Sequence, residues 1–148
     1  MVTKHTNGFS KKQEDAFYQM LFADTLRGDD STGMILVEKD SSFGIMKEAL
    51  GAPYVIDNMR DSRMGKDMIF QGKALIGHNR AATRGAVVAE NAHPFVVDNV
   101  FALVHNGTLY GHKELSDTTV DSEALAIHLK DVLGSHDKEK LEEELGKV

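Results

Sequence analysis

At 148 residues, with 41% hydrophobic and 27% charged side chains, the chain has the composition of one ordinary globular domain, 1–148, able to bury roughly 70% of the surface of its unfolded form. The formal net charge of −6, with the histidines neutral, excludes a general binder of nucleic-acid backbones, which needs clustered Lys and Arg. Cysteine is absent, so disulfides, zinc ribbons and thiolate nucleophiles are excluded within these residues. No signal-peptide pattern opens the chain and no apolar run approaches the roughly 20 residues of a membrane span, so a soluble, cytoplasmic protein is expected.

Ser10-Lys11-Lys12-Gln13 is a capping-box pattern, and Ala16, Phe17, Met20 and Leu21 follow at helical spacing, which predicts a helix over about Lys11–Leu26. Arg27-Gly28-Asp29-Asp30 ends it. Met34–Val37 and Phe43–Met46 read as strands joined by a turn at Lys39-Asp40-Ser41-Ser42. Ala49–Gly72, with its charged stretch from Asp57 to Asp67, reads as loop with one helical turn at most. Lys73–Gly77 is a further expected strand, and Phe95–Val97 and Val100–His105 are two more, joined across Asp98-Asn99. From Thr119 the pattern turns helical, with Thr119 or Asp121 as cap, an apolar stripe of Leu125, Leu129, Val132 and Leu133, and Gly134 as stop. A last helix is expected over about Asp137–Leu145. Strands grouped between terminal helices imply a layered α+β fold rich in antiparallel pairing, with a sheet of at least four strands.

Four segments combine glycine with fixed polar residues at expected strand ends or helix starts, where backbone can approach a ligand: Arg27 to Gly33, Gly77 to Gly85, His105 to Leu109 and Thr119 to Glu123. Each alone reads as a turn, a cap or a surface charge. With Asn91-Ala92-His93-Pro94 they form an ordered set, R-G-x-D-S-x-G, G-H-x-R-x-A-T-x-G, N-A-H-P, H-N-G and T-x-D-S-E, that resembles the class II glutamine amidotransferases. The resemblance implies the four-layer αββα sandwich of N-terminal-nucleophile hydrolases, with antiparallel sheets, here incomplete at its first and last strands.

Glutamine is a zwitterion with an amide tail, so a selective site needs a cation, an anion and donors for a developing oxyanion. By motif position the resemblance implies that Arg80, with Thr83 and Arg84, holds the α-carboxylate and that Asp121 holds the α-ammonium. Asn106, through its side-chain amide, and Gly107, through its N–H, are implied as the oxyanion hole. The family's nucleophile is an N-terminal cysteine, whereas this chain begins Met1-Val2-Thr3-Lys4. Two explanations stand: a start at an internal methionine, or loss of the nucleophile. As it stands the chain is expected to be inactive. Thr3 could replace the thiol only if both preceding residues were removed, and Ser31 and Thr32 have no local base. Ala81 departs from the tryptophan many relatives carry there.

No cofactor is implied, and the spacing of His78, His93, His105 and His112 fits no zinc motif, so no metal is expected. The expected partners are glutamine and a synthase domain or protein receiving ammonia, with homo-oligomerisation open; the alternative is a catalytically silent module that binds glutamine or a protein. A third reading is a hydrolase of the same fold acting on another substrate. A small free-standing domain of this kind fits a bacterial or phage source.

Overall fold

The computed structural model describes residues 8–99 and 101–134, arranged in two compact units that meet in sequence between Pro94 and Phe95. It is an α+β structure whose sheets are antiparallel.

In the first unit α1 spans Lys11–Ala23 and continues as a 3₁₀ turn to Leu26. Its start is the predicted capping box: Ser10 Oγ accepts from Gln13 N–H and Gln13 Oε1 accepts from Ser10 N–H, satisfying two donors the helix cannot. β1, Ser31–Glu38, turns at Asp40 and Ser41 into β2, Phe43–Glu48. That turn closes with Glu38 N–H on Ser42 O at 2.9 Å, while Ser42 N–H bonds Asp40 Oδ1.

The stretch expected to be loop is instead two helices, α2 over Ala52–Asp61 and α3 over Arg63–Gln71. Pro53 stands in the first turn of α2, where its missing N–H costs nothing. Ala52, Val55, Ile56 and Met59 form a buried stripe at helical spacing. Ser62 separates the helices, donating to Met59 O and accepting from Gly65 N–H. The charged residues that masked this pattern lie on the solvent side.

β3 runs over Gly72–Arg80, three residues beyond its expected end, and completes a sheet of order β2-β1-β3. Met34, Leu36 and Leu75 pack with Phe17, Tyr18 and Leu21 of α1 and with the α2 stripe to make the core. Ile35, on the opposite face of β1, is also fully buried.

In the second unit β4, Phe95–Val97, pairs with β5, Phe101–Leu103, so the strands form sheets of three and two among the described residues, where one of at least four was expected. Asp98 and Asn99 both take positive φ in the connection, a conformation that Asp and Asn tolerate better than other side chains. α4 spans Asp121–Gly134 and packs on this hairpin through Phe95, Val120 and Ala126. Leu125, Leu129 and Val132 are buried as expected; Leu133 is exposed, and Ala126 faces inward instead. The helix expected over 137–145 lies outside the described residues. No helix among the described residues is long and apolar enough to cross a membrane.

Leu36 has no exposed surface at the centre of the first core. Leu36→Ala is expected to lower unfolding free energy by about 2–5 kcal/mol, read as a reduced urea midpoint at constant slope.

Candidate functional site

The β1–β3 register sets Ser31 opposite Arg80, so the Arg27–Asp30 turn enters β1 beside the place where β3 ends. Two hydrogen bonds from one residue stitch them together: Asp30 N–H donates to Arg80 O at 3.1 Å, and Asp30 Oδ2 accepts from Ala82 N–H at 2.7 Å. Only glycine fits at position 28, because a Cβ there would lie 2.4 Å from Ala81 N. One residue before Arg80, buried Asn79 accepts from Thr32 Oγ1 at 2.9 Å and donates to Leu21 O at 2.7 Å, joining β3 to β1 and to the end of α1.

Arg80 is 5% exposed, and the chain that follows curls around its guanidinium. Nη1 donates to Ala86 O at 3.2 Å and Nη2 to Arg84 O. Ala86 O also accepts from Asn91 Nδ2 at 2.9 Å, which ties the Asn91–Pro94 segment to the same loop. That segment approaches β1 so closely that a Cβ on Gly33 would lie 1.8 Å from His93 O. The His78 and His93 rings stack with centroids 4.1 Å apart. Arg80, Thr83 and Arg84 are thus held on one loop, with Thr83 exposed and Arg84 half-buried.

The second unit holds the other predicted residues. His105 Nδ1 lies 3.0 Å from Ser122 Oγ, and Leu109 N–H donates to Asp121 Oδ2 at 2.6 Å, so the loop after β5 is pinned at both ends to the start of α4. Asn106 and Gly107 occupy the exposed bend between these ties. No hydrogen bond among the described residues engages the Asn106 side chain, which is exposed. Asp121 is 4% exposed and accepts Ser122 N–H at 3.0 Å through Oδ1. Its negative charge at a helix N-terminus is favoured by the helix dipole. Among the described residues no cation pairs with it.

The structure therefore brings together Arg80, Thr83 and Arg84 in one unit and Asn106, Gly107 and Asp121 in the other. Asp30 and Asn79 had no role in the sequence reading, although Asp30 stands in a quoted motif; their bonds span 47 to 58 residues, a separation that leaves no local pattern. No group of three or more His, Asp or Glu side chains among the described residues is placed to hold a metal ion.

Comparison with known proteins finds relatives over part of the chain. A glutamine–fructose-6-phosphate aminotransferase of Wigglesworthia glossinidia brevipalpis is 34% identical over 89 residues, and one of Aquifex aeolicus 37% over 92, covering 60% and 62% of this chain. An amidophosphoribosyltransferase of Pasteurella multocida is 30% identical over 129 residues, 78% of this chain. The chain is similar to glutamine-utilising amidotransferases. It spans only 14% of the length of the two aminotransferases and 24% of the amidophosphoribosyltransferase. No family model matches it.

In this amidotransferase-like chain the approach of Gly28 to Ala81 is a checkable constraint. Gly28→Ala is expected to cost about 1–3 kcal/mol and to reduce hydrogen-exchange protection of the Asp30 amide, since the turn must withdraw from β3. Unaltered stability and protection would show that the turn does not lean on the strand.

Proposed function

We propose that this chain is a class II glutamine amidotransferase-type domain over 1–148, of the αββα sandwich kind, and that it binds free glutamine. Arg80, with Thr83 and Arg84, takes the α-carboxylate, Asp121 takes the α-ammonium, and Asn106 and Gly107 offer donors to the amide oxygen. The observation that carries the reading is Asp121, a buried carboxylate fixed by two N–H groups and lacking a cation among the described residues. Burying such a charge without a partner is costly, and an ammonium would offset the cost. Arg80 supports it independently: a guanidinium clamped by loop carbonyls is a fixed fork, suited to two charge-assisted bonds with a carboxylate. The exposed Asn106-Gly107 bend, pinned at both ends, has the rigidity that oxyanion stabilisation needs, where loss of one donor costs about 10²–10³ in rate.

Hydrolysis of the amide to glutamate and ammonia requires a nucleophile, and in an intact amidotransferase of this class a cysteine thiolate attacks the amide carbon with an amino group as base. These 148 residues contain no cysteine, so on this reading they bind glutamine without cleaving it. The transfer of ammonia to a synthase domain or partner, and a cytoplasmic setting, belong to the same proposal. A second reading, a catalytically silent module that uses the site for glutamine or for a protein, is favoured by that same lack of a thiol.

Calorimetric titration tests the pocket. Glutamine is expected to bind at least tenfold more tightly than glutamate or asparagine, and Asp121→Asn and Arg80→Lys should each weaken it by at least tenfold, about 1.4 kcal/mol. No ammonia should be released. Unchanged affinity in both variants would remove the site assignment, and ammonia release would remove the requirement for cysteine.

A further inference from the structure

A groove of about 460 Å³ opens between α1 and α2 of the first unit. Tyr18, Phe22, Pro53 and Ile56 give it apolar walls, and Asp57 and Arg60 bring one charge of each sign. Single exposed hydrophobic residues are common and mean little, but Phe22 lies on the groove wall itself. Phe22 is 58% exposed on its wall, Leu26 follows four residues later at 93%, and Tyr54, next to Pro53, is 68% exposed. None of its lining residues is among those assigned to glutamine.

The charges select the occupant. The Arg60 guanidinium carbon lies 5.2 Å from the Tyr18 ring centroid, so a cation–π contact holds it against the groove wall. Asp57 lies one helical turn earlier on the same face of α2. Neither forms an ion pair among the described residues. A strongly acidic or basic partner would be matched by a groove of single sign. A groove carrying one carboxylate and one guanidinium a turn apart is complementary to itself: when two copies of α2 cross on a two-fold axis between these positions, each Arg60 meets the other copy's Asp57.

We propose that a second copy of this chain docks on the α1–α2 groove through a two-fold interface, with Phe22 of each copy covered by the other and two reciprocal Asp57–Arg60 pairs. Covering the exposed parts of two Phe22 and two Tyr54 rings removes on the order of 500 Å² of aromatic surface. A specific interface requires roughly 1,200 Å², so the flanking helix surfaces must contribute the rest.

Sedimentation equilibrium on the full chain, with Asp57→Arg, Arg60→Asp and Phe22→Ala, tests this at concentrations up to about 1 mM. Both charged positions are exposed, so the reversals should retain the native circular dichroism spectrum. The unaltered chain is expected to be dimeric, and each reversal should weaken the dimer by at least tenfold. An equimolar mixture of Asp57→Arg and Arg60→Asp chains should associate again, because each then offers the charges the other lacks. Phe22→Ala should weaken association without altering the charge match. A monomeric unaltered chain overturns the proposal, leaving the groove to another partner. A dimer indifferent to all three variants, or single reversals that stay apart when mixed, overturns it equally.

Discussion

β1 pairs along its length with β2 on one side and β3 on the other, and Met34, Ile35 and Leu36 are fully buried, so neither face can slip without exposing apolar surface. A shift of one residue would exchange its two faces, and that penalty makes the register specific. The same register sets Ser31 against Arg80, and from this follows the first half of the candidate site. Gly28 reaches Ala81, Asp30 bonds the Arg80 carbonyl and the Ala82 N–H on either side of Ala81, and the Arg80 guanidinium is left inside the loop it organises. Packing is thereby converted into the placement of one cation.

The second unit obtains its rigidity by another route. β4 and β5 are three residues each, too short to position much by themselves, and the loop beyond them is instead fastened to the first residues of α4. Asp121 serves that loop as an acceptor while remaining a buried negative charge. Its two functions are compatible because the Leu109 and Ser122 N–H groups approach different oxygens. A carboxylate has about four lone-pair sites, so ligand donors can be added without breaking either bond.

Local grammar was readable where the physics is local. The Ser10–Gln13 box, the turn at Asp40 and Ser41, the Asp98-Asn99 connection and the α4 stripe each depend on residues a few positions apart, and each is found where expected except for Leu133, which the stripe replaces with Ala126. α2 was hidden because its helical stripe of Ala52, Val55, Ile56 and Met59 is interleaved with charges that face solvent, and because Pro53 reads as a breaker unless its place in the first turn is known. The division into sheets of three and two could not be seen, since pairing partners such as Thr32 and Asn79 are chosen by tertiary packing. For the site, the motif residues were identifiable by type, but the burial of Arg80 and Asp121, and the bonds that hold them, were not. Both charges carry a ligand role by motif position, and each also supports its own loop.

The central claim is that the residues around Arg80 and those at Asn106-Gly107 respond to glutamine. An NMR titration of the nitrogen-15-labelled chain with glutamine tests it most directly. The account predicts saturable shifts with one common affinity at the amides of residues 82–86 and of residues 106–109, and none with aspartate. Shifts confined to one loop, or different affinities at the two, would contradict it.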